Sequence, residues 1–400
     1  MSLHQFVFLF TTILSLFHSA WVAVSESPRP VLLAKANKAI SPSSSNSIEQ
    51  EFQISMGKTL LIDLETGGSI RISGWEKEIV SVSGTARGCN PEDCAFDVRE
   101  SDASIEITSE FLSRRNSQRA RIDLDIHVPA RFNLDIQTTG GTISIDNVEG
   151  KIDGTTMGGK LELNALKGNL SMGTMGGSIT LTDSVVDGKV HTMGGRVLIQ
   201  DVTGDLKGSS MGGTVEYLNV KKKPGAAEMK ETKITTMGGD LNVSDAPSGA
   251  DLETMGGDIH VSSAGDHVKA TTMGGDIRID EIDGWIDAHT MGGDVVAKMT
   301  GNPSQGKRDV NISSKGGDIE VTLPDGLSVT LDLRLGYTTR AGNQYSIISD
   351  FPVQLEETDK WDDEEGTPRK YIYGKSTKAG GQHRIRIETI NGNIVLKKAS

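Results

Sequence analysis

The tripeptide Met-Gly-Gly recurs eight times, beginning at Met157, Met175, Met193, Met211, Met237, Met255, Met273 and Met291. The intervals are 18, 18, 18, 26, 18, 18 and 18 residues. Thr139-Gly-Gly stands 18 residues before the first and Lys315-Gly-Gly 24 after the last. Each Gly-Gly is followed by a short run in which apolar residues alternate with polar ones, as in Asp276-Ile277-Arg278-Ile279. Alternation over four or five residues reads as a half-buried strand, and a fixed period of such strands reads as stacked units. Each unit would lie on the next at about 4.8 Å, the spacing between paired strands. The expected fold is therefore all-β: a right-handed parallel β-helix, or β-solenoid, with 18-residue coils and capped ends. The hand follows the general preference of parallel crossovers.

The unit divides further into two halves of nine. Met273–Glu281 and Ile282–Thr290 both carry Gly at their third position and Ile at their fifth. Glycine is expected at such corners because it adopts φ > 0 freely and lets stacked turns approach. The inward positions form an aliphatic ladder: Leu161, Ile179, Val197, Val215, Leu241, Ile259, Ile277, Val295 and Ile319. Such a core needs few aromatic rings, which agrees with an aromatic content of 4 %. The longer intervals are insertions at a turn, one of them carrying Lys221-Lys222-Lys223-Pro224.

Five segments follow. Residues 1–25 read as a Sec-type signal peptide, with an apolar stretch Phe6–Leu16 and cleavage near Ser25. The segment before that stretch has no Lys or Arg, and an uncleaved anchor over Phe6–Val24 is the alternative. Residues 26–50 are a Ser-rich flexible leader. Residues 51–131 form an N-terminal β region and cap, 132–335 the regular repeats, and 336–400 a C-terminal β cap. The last contains Glu356–Glu365, with seven acids in ten residues. The localisation expected is secreted, periplasmic or cell-surface. In that setting Cys89 and Cys94 read as a local disulfide, with free thiols or a metal pair as alternatives.

With these repeats, the Val128-Pro129-Ala130-Arg131-Phe132 entry, Ser349-Asp350-Phe351-Pro352 and the closing Ile387–Ile394 strand, the chain resembles the bacterial putative-adhesin domain family. These are β-helix proteins related to head-GIN domains. The resemblance covers about residues 51–400 and implies an exported, non-enzymatic envelope or surface protein without an agreed ligand. This chain departs from it in its Met column, a position more often small and polar in the family.

Two columns are candidate binding residues. The first is the Met column, with Met237, Met255, Met273 and Met291 at its C-terminal end. Turned inward it is adaptable core filling; turned outward it is an apolar strip for a partner, or a soft ligand set for Cu(I). The second follows Gly-Gly: Asp240, Asp258, Asp276, Asp294 and Asp318. It reads as a solvated edge, or as a strip for Ca²⁺. The GGxGxDxUx pattern of calcium-binding β-rolls is absent, and no cofactor is expected, with Ca²⁺ at the acids and Cu(I) at the methionines as the alternatives.

Charge restricts the partners. There are 41 Lys and Arg against 54 Asp and Glu, a net charge of −13, which argues against a sequence-wide nucleic-acid binder. Arg114, Arg115, Arg119 and Arg121 form a local basic cluster, and the loop around Trp361 an acidic one. Either could meet a charged partner, or serve only as a solvated loop. An enzyme of the polysaccharide-degrading β-helix kind would need clustered carboxylates. Asp123, Asp125 and His127 share one strand face, with Asp135 nearby, but no hydrolase, P-loop or zinc motif accompanies them. The expectation is a non-catalytic, adhesion-like module for a glycan or an envelope or surface protein, with peripheral contact to the envelope and oligomeric state left open. The alternatives are a structural or envelope-stress component working through a protein partner, and a polysaccharide-degrading enzyme.

Overall fold

The computed structural model describes residues 47–54, 58–88, 94–101, 103–112, 120–221, 232–341, 344–362 and 366–399. Among these the chain is all-β: 32 strands joined in one hydrogen-bonded sheet, with no helix. No helix of the described residues is long and apolar enough to cross a membrane.

Between residues 133 and 323 all strand pairing is parallel, and the partner of a residue is its counterpart in the next unit. Glu149–Thr156 lies beside Lys167–Thr174 with Glu149 opposite Lys167, 18 residues on. Leu161–Asn164 lies beside Ile179–Thr182 with Leu161 opposite Ile179. The strands that follow Gly-Gly keep their register across the two longer intervals, while the pairing of Ile277–His289 with Val295–Met299 shifts by one residue between Ile279 and Ile282. Val215 pairs with Leu241, and Val295 with Ile319. Antiparallel pairs occur outside this region. On the N-terminal side Ile79–Arg87 runs between Ser47–Gln53 and Arg121–Pro129. On the C-terminal side Arg369–Lys378 runs between Val329–Thr338 and Gln354–Glu357. The strand Ser47–Gln53 overlaps the end of the stretch 26–50 read from sequence as leader.

The sequence pattern dictates the core. In the four-residue strands that follow Gly-Gly the first and third side chains point inward and are buried; the second and fourth point outward. The ladder from Leu161 to Ile319 is buried throughout. Each such side chain contributes about 1.5–3 kcal/mol. Glycines interrupt the aliphatic columns of the other strand set, as at Gly154 and Gly208 in the column of Ile136, Met172 and Val190. Met172 is fully buried beside Gly154, where a Cβ would lie 2.9 Å from its sulfur.

At the Met-Gly-Gly corner one of the two expected reasons for glycine applies, close approach, and the other, positive φ, does not. None of the Met-Gly-Gly glycines has a positive φ. The second glycine is required by proximity instead. A Cβ at Gly159, Gly177, Gly195, Gly213, Gly239, Gly257, Gly275, Gly293 or Gly317 would stand 1.4–2.1 Å from the carbonyl oxygen of the equivalent glycine one unit earlier. The first glycine is unconfined, with nothing closer than 3.6 Å to a Cβ at Gly158, Gly176, Gly256 or Gly316. The left-handed conformation belongs to another corner, at Asn147, Ala165, Asp183, Asp201 and Asn219, with φ of 50–56°. Asn and Asp tolerate that conformation better than other side chains.

Candidate binding face

The residue before each Met orients the corner. Thr156, Thr174, Thr192, Ser210, Thr236, Thr254, Thr272, Thr290 and Ser314 are all buried. The Thr254 hydroxyl donates to the Gly239 carbonyl of the preceding unit (3.0 Å) and accepts from the N–H of Gly257 (3.3 Å). Thr272 repeats this with Gly257 (2.9 Å) and Gly275 (3.2 Å). Thr290 does so with Gly275 (2.9 Å) and Gly293 (3.1 Å). These hydroxyls satisfy peptide groups that the turn would otherwise bury unpaired, and they tie each unit to the last. Alternation from Ile286 and Ala288 already turns Thr290 inward in the sequence, and Thr or Ser precedes every Met in the series; what the sequence does not show is the pair of peptide groups each hydroxyl meets.

With the hydroxyl turned inward, the next side chain turns outward. Met157 is 56 % exposed, and Met193 and Met273 are exposed too. Met175, Met211, Met237, Met255 and Met291 are half-buried, and none of the eight is buried. Their backbones remain in register. Met255 N–H donates to Met237 C=O and Met273 N–H to Met255 C=O, both at 3.2 Å. Thr139 and Lys315, at the two ends of the column, are exposed. Among the described residues the buried methionines are Met172 and Met299.

The Asp column lies three residues further on and is exposed. Its carboxylates are hydrogen-bonded along the stack. Asp258 N–H donates to Asp240 Oδ1 (2.9 Å), Asp276 N–H to Asp258 Oδ1 (2.8 Å), and Asp294 N–H to Asp276 Oδ1 (2.7 Å). Asp318 N–H and then Asn393 N–H continue the series at 2.7 Å. Each carboxylate therefore accepts the first free N–H of the next strand, a structural task that accounts for five stacked acids despite their mutual repulsion. Among the described residues, no group of three or more His, Cys, Asp or Glu side chains is gathered as a metal site.

The residues considered for acid–base chemistry sit in separate contacts. Asp123 accepts from the N–H (2.9 Å) and hydroxyl (2.7 Å) of Ser69, which hold its carboxyl below the usual range, with Arg87 adding to the effect. Asp125 faces Arg71 at 3.5 Å, and the His127 ring lies 5.0 Å from that of Trp75. Burial, followed by the charge of Asp153, pushes the Asp135 carboxyl up.

Two cavities open on the outer surface. One, of about 350 Å³, is lined by Trp75, Lys77, Arg131, Asn147, Glu149 and Lys167. The other, of about 280 Å³, is lined by Leu206, Lys207, Tyr217, Lys233 and Ser248 among others. It marks a break in the sheet beside the 26-residue interval. Leu206–Ser210 pairs with Thr232–Thr236 only at Ser209 and Ser210. The Tyr217 hydroxyl reaches across and satisfies the backbone left over, accepting from Gly208 N–H (2.5 Å) and donating to Leu206 C=O (3.1 Å).

The remaining candidates are only partly visible. Cys94 is buried at the start of Cys94–Glu100, while Cys89 lies outside the described residues. Arg114, Arg115 and Arg119 also lie outside, as do residues 1–46 and 363–365. In the acidic loop Trp361 is exposed and edge-on to Tyr337, 5.8 Å between ring centres.

No family model matches the chain, and no curated protein does. Among solved structures, a putative cell adhesion protein from Clostridium sporogenes is 9 % identical, covering 88 % of this chain and 100 % of its own, with a TM-score of 0.20. A putative adhesin from Parabacteroides distasonis is 11 % identical, covering 69 % and 97 %, with a TM-score of 0.28. One from Parabacteroides merdae is 11 % identical, covering 67 % and 96 %, with a TM-score of 0.25. TM-scores of this size carry no argument about function.

Proposed function

We propose that this chain is an exported, non-catalytic binding module that acts in an adhesion-like way at a surface or envelope. Its scaffold is a right-handed parallel β-solenoid of 18-residue coils with capped ends. The 18-residue parallel register supports the coils, the preference for right-handed parallel crossovers supports the hand, and the antiparallel pairs outside the regular region serve as caps. The Cys89–Cys94 disulfide and the signal peptide belong to the same reading of an exported chain. The partner is a glycan or a surface protein.

One observation carries the binding reading. Eight methionines occupy an outer corner where packing does not call for them, since Thr139 and Lys315 stand exposed in the same column. An apolar strip repeated at each unit is a continuous contact surface, and stacked-repeat proteins bind along such surfaces. The flanking acids suit a partner with basic groups.

The test uses the chain from Glu26 onward against envelope and extracellular polysaccharides and surface-protein extracts, with Ca²⁺ or with EDTA. Retention and release of soluble product are scored together. Retention without product is the expected result. Release of product overturns the reading in favour of an enzyme. Retention by the protein fraction alone makes the partner a surface protein rather than a glycan. EDTA-sensitive retention assigns Ca²⁺ a place at the Asp column.

A further inference from the structure

Met237, Met255, Met273 and Met291 occupy one register position in four successive units, with the 18-residue interval unbroken. None is buried, and consecutive backbones are hydrogen-bonded directly from Met to Met at 3.2 Å from Met237 through Met273. Their Cα atoms are thus one strand spacing apart, about 4.8 Å. A thioether is neutral and polarizable, and it selects soft ions such as Cu(I) over Zn²⁺, Ca²⁺ or Mg²⁺. Metal–sulfur bonds run near 2.3 Å. A cation held in line between two sulfurs therefore spans about 4.6 Å, which closely matches the strand spacing of about 4.8 Å. Thioethers of neighbouring units could meet one ion without movement of the backbone.

The surroundings favour a cation. Asp240, Asp258, Asp276, Asp294 and Asp318 run alongside these four methionines, exposed, and lower the local potential. Further back along the column the position after Gly-Gly is Lys160, Ser178, Arg196 and Thr214. The acids coincide with the C-terminal half of the column only. Their Oδ1 atoms accept from backbone N–H groups, and carboxylate oxygens are hard ligands ill suited to a soft ion, so they attract the ion while sulfur ligates it.

We propose that the Met237–Met291 column binds Cu(I), or another soft monovalent d¹⁰ cation, between the thioethers of adjacent units. The proposal rests on the reading of this corner as the working face, and it names the ligand chemistry of that face. It involves binding alone, with no electron or group transferred.

The test uses the full secreted chain with its cysteines left oxidised. Silver(I) nitrate in nitrate buffer serves as a redox-inert probe, so no reductant is needed. Methionine carries a ¹³C-methyl label. The expected result is a saturable shift of the Met237, Met255, Met273 and Met291 methyl signals. Met172 and Met299, both buried, should stay in place, and Ca²⁺ or Zn²⁺ should move none of them. The M237L/M255L/M273L/M291L variant keeps the apolar strip but removes its sulfur. It should bind silver about tenfold more weakly or worse, equivalent to about 1.4 kcal/mol. Copper(I) competition with bicinchoninate should rank the two proteins in the same order. Unmoved column methyls, or equal silver affinity in the variant, overturn the proposal. The partner reading fails separately. Silver binding with no retention of any partner contradicts that reading alone, and retention by both proteins without silver binding contradicts the metal site alone.

Discussion

Asp276 Oδ1 accepts a hydrogen bond from the backbone N–H of Asp294, 2.7 Å away and one repeat unit further along the chain. The contact joins two residues whose carboxylates should repel, and it explains why the acid recurs. The chemistry required is an acceptor oxygen rather than a charge. Asp276→Asn keeps the acceptor and relieves repulsion, so its stability should equal or exceed that of the parent. Asp276→Ala removes the acceptor and should lose about 1 kcal/mol, since the freed N–H can still reach water. Urea unfolding distinguishes them. Equal stability of all three proteins would reduce the column to a solvated edge.

The two glycines of the turn should differ sharply. Gly257→Ala places a methyl 2.1 Å from the Gly239 carbonyl oxygen and forces the stacked units apart. A cost of about 1–3 kcal/mol or more is expected for such overpacking. Gly256→Ala meets nothing closer than 3.8 Å and should change stability by no more than about 0.5 kcal/mol. Thermal unfolding of the pair checks this. Similar losses would mean that conformational freedom, rather than close approach, selects both glycines.

Thr254→Val should destabilise by about 1–3 kcal/mol, because it strands the Gly239 carbonyl and the Gly257 N–H without a partner. Thr254→Ser should be tolerated, since Ser210 already makes the same pair of contacts with Gly195 and Gly213, both at 2.8 Å. Tyr217→Phe tests the break in the sheet by the same logic, leaving Gly208 N–H and Leu206 C=O unmet. Chemical denaturation of the three variants gives the answer directly.

His191 supplies a pH dependence. Burial pushes its imidazole pKa down, and the Lys189 charge pushes the same way. The folded state thus holds fewer protons on this ring than the unfolded state, whose pKa is about 6.5. Its contribution is present above that value and is lost as pH falls through the folded pKa. The parent should lose stability below about pH 6.5 more steeply than His191→Gln. Parallel slopes for the two proteins would contradict the assignment.

The architecture was legible where identity of type repeats at a fixed interval. The ladder from Leu161 to Ile319 could be read directly because alternation within a four-residue strand leaves no choice of face. The direction of the Met column could not, because it sits at a corner, where strict alternation ends. Alternation through Thr290 pointed Met291 outward or to a corner, and the hydrogen bonds of the buried Thr or Ser before each Met, which satisfy two peptide groups, fix that direction. Of the two reasons expected for the glycines, close approach holds at the Gly-Gly corner and positive φ at the second-half corner glycines Gly168, Gly188 and Gly204, a division that a residue name cannot show. Asp240 to Asp318 looked like charge alone because the N–H groups they accept become neighbours only after stacking. Tyr217 carried no signal, because its partners are exposed by an interruption of pairing beside the insertion.

The most direct test of the binding corner is retention of the full chain compared with M237T/M255T/M273T/M291T, using the partner fraction that retains the parent. Threonine already stands in this column at Thr139. The account predicts that retention falls about tenfold or more, a loss of at least about 1.4 kcal/mol. Stability should change by no more than about 0.5 kcal/mol per site. Undiminished retention by the stable variant, or soluble product released by the parent, would contradict it.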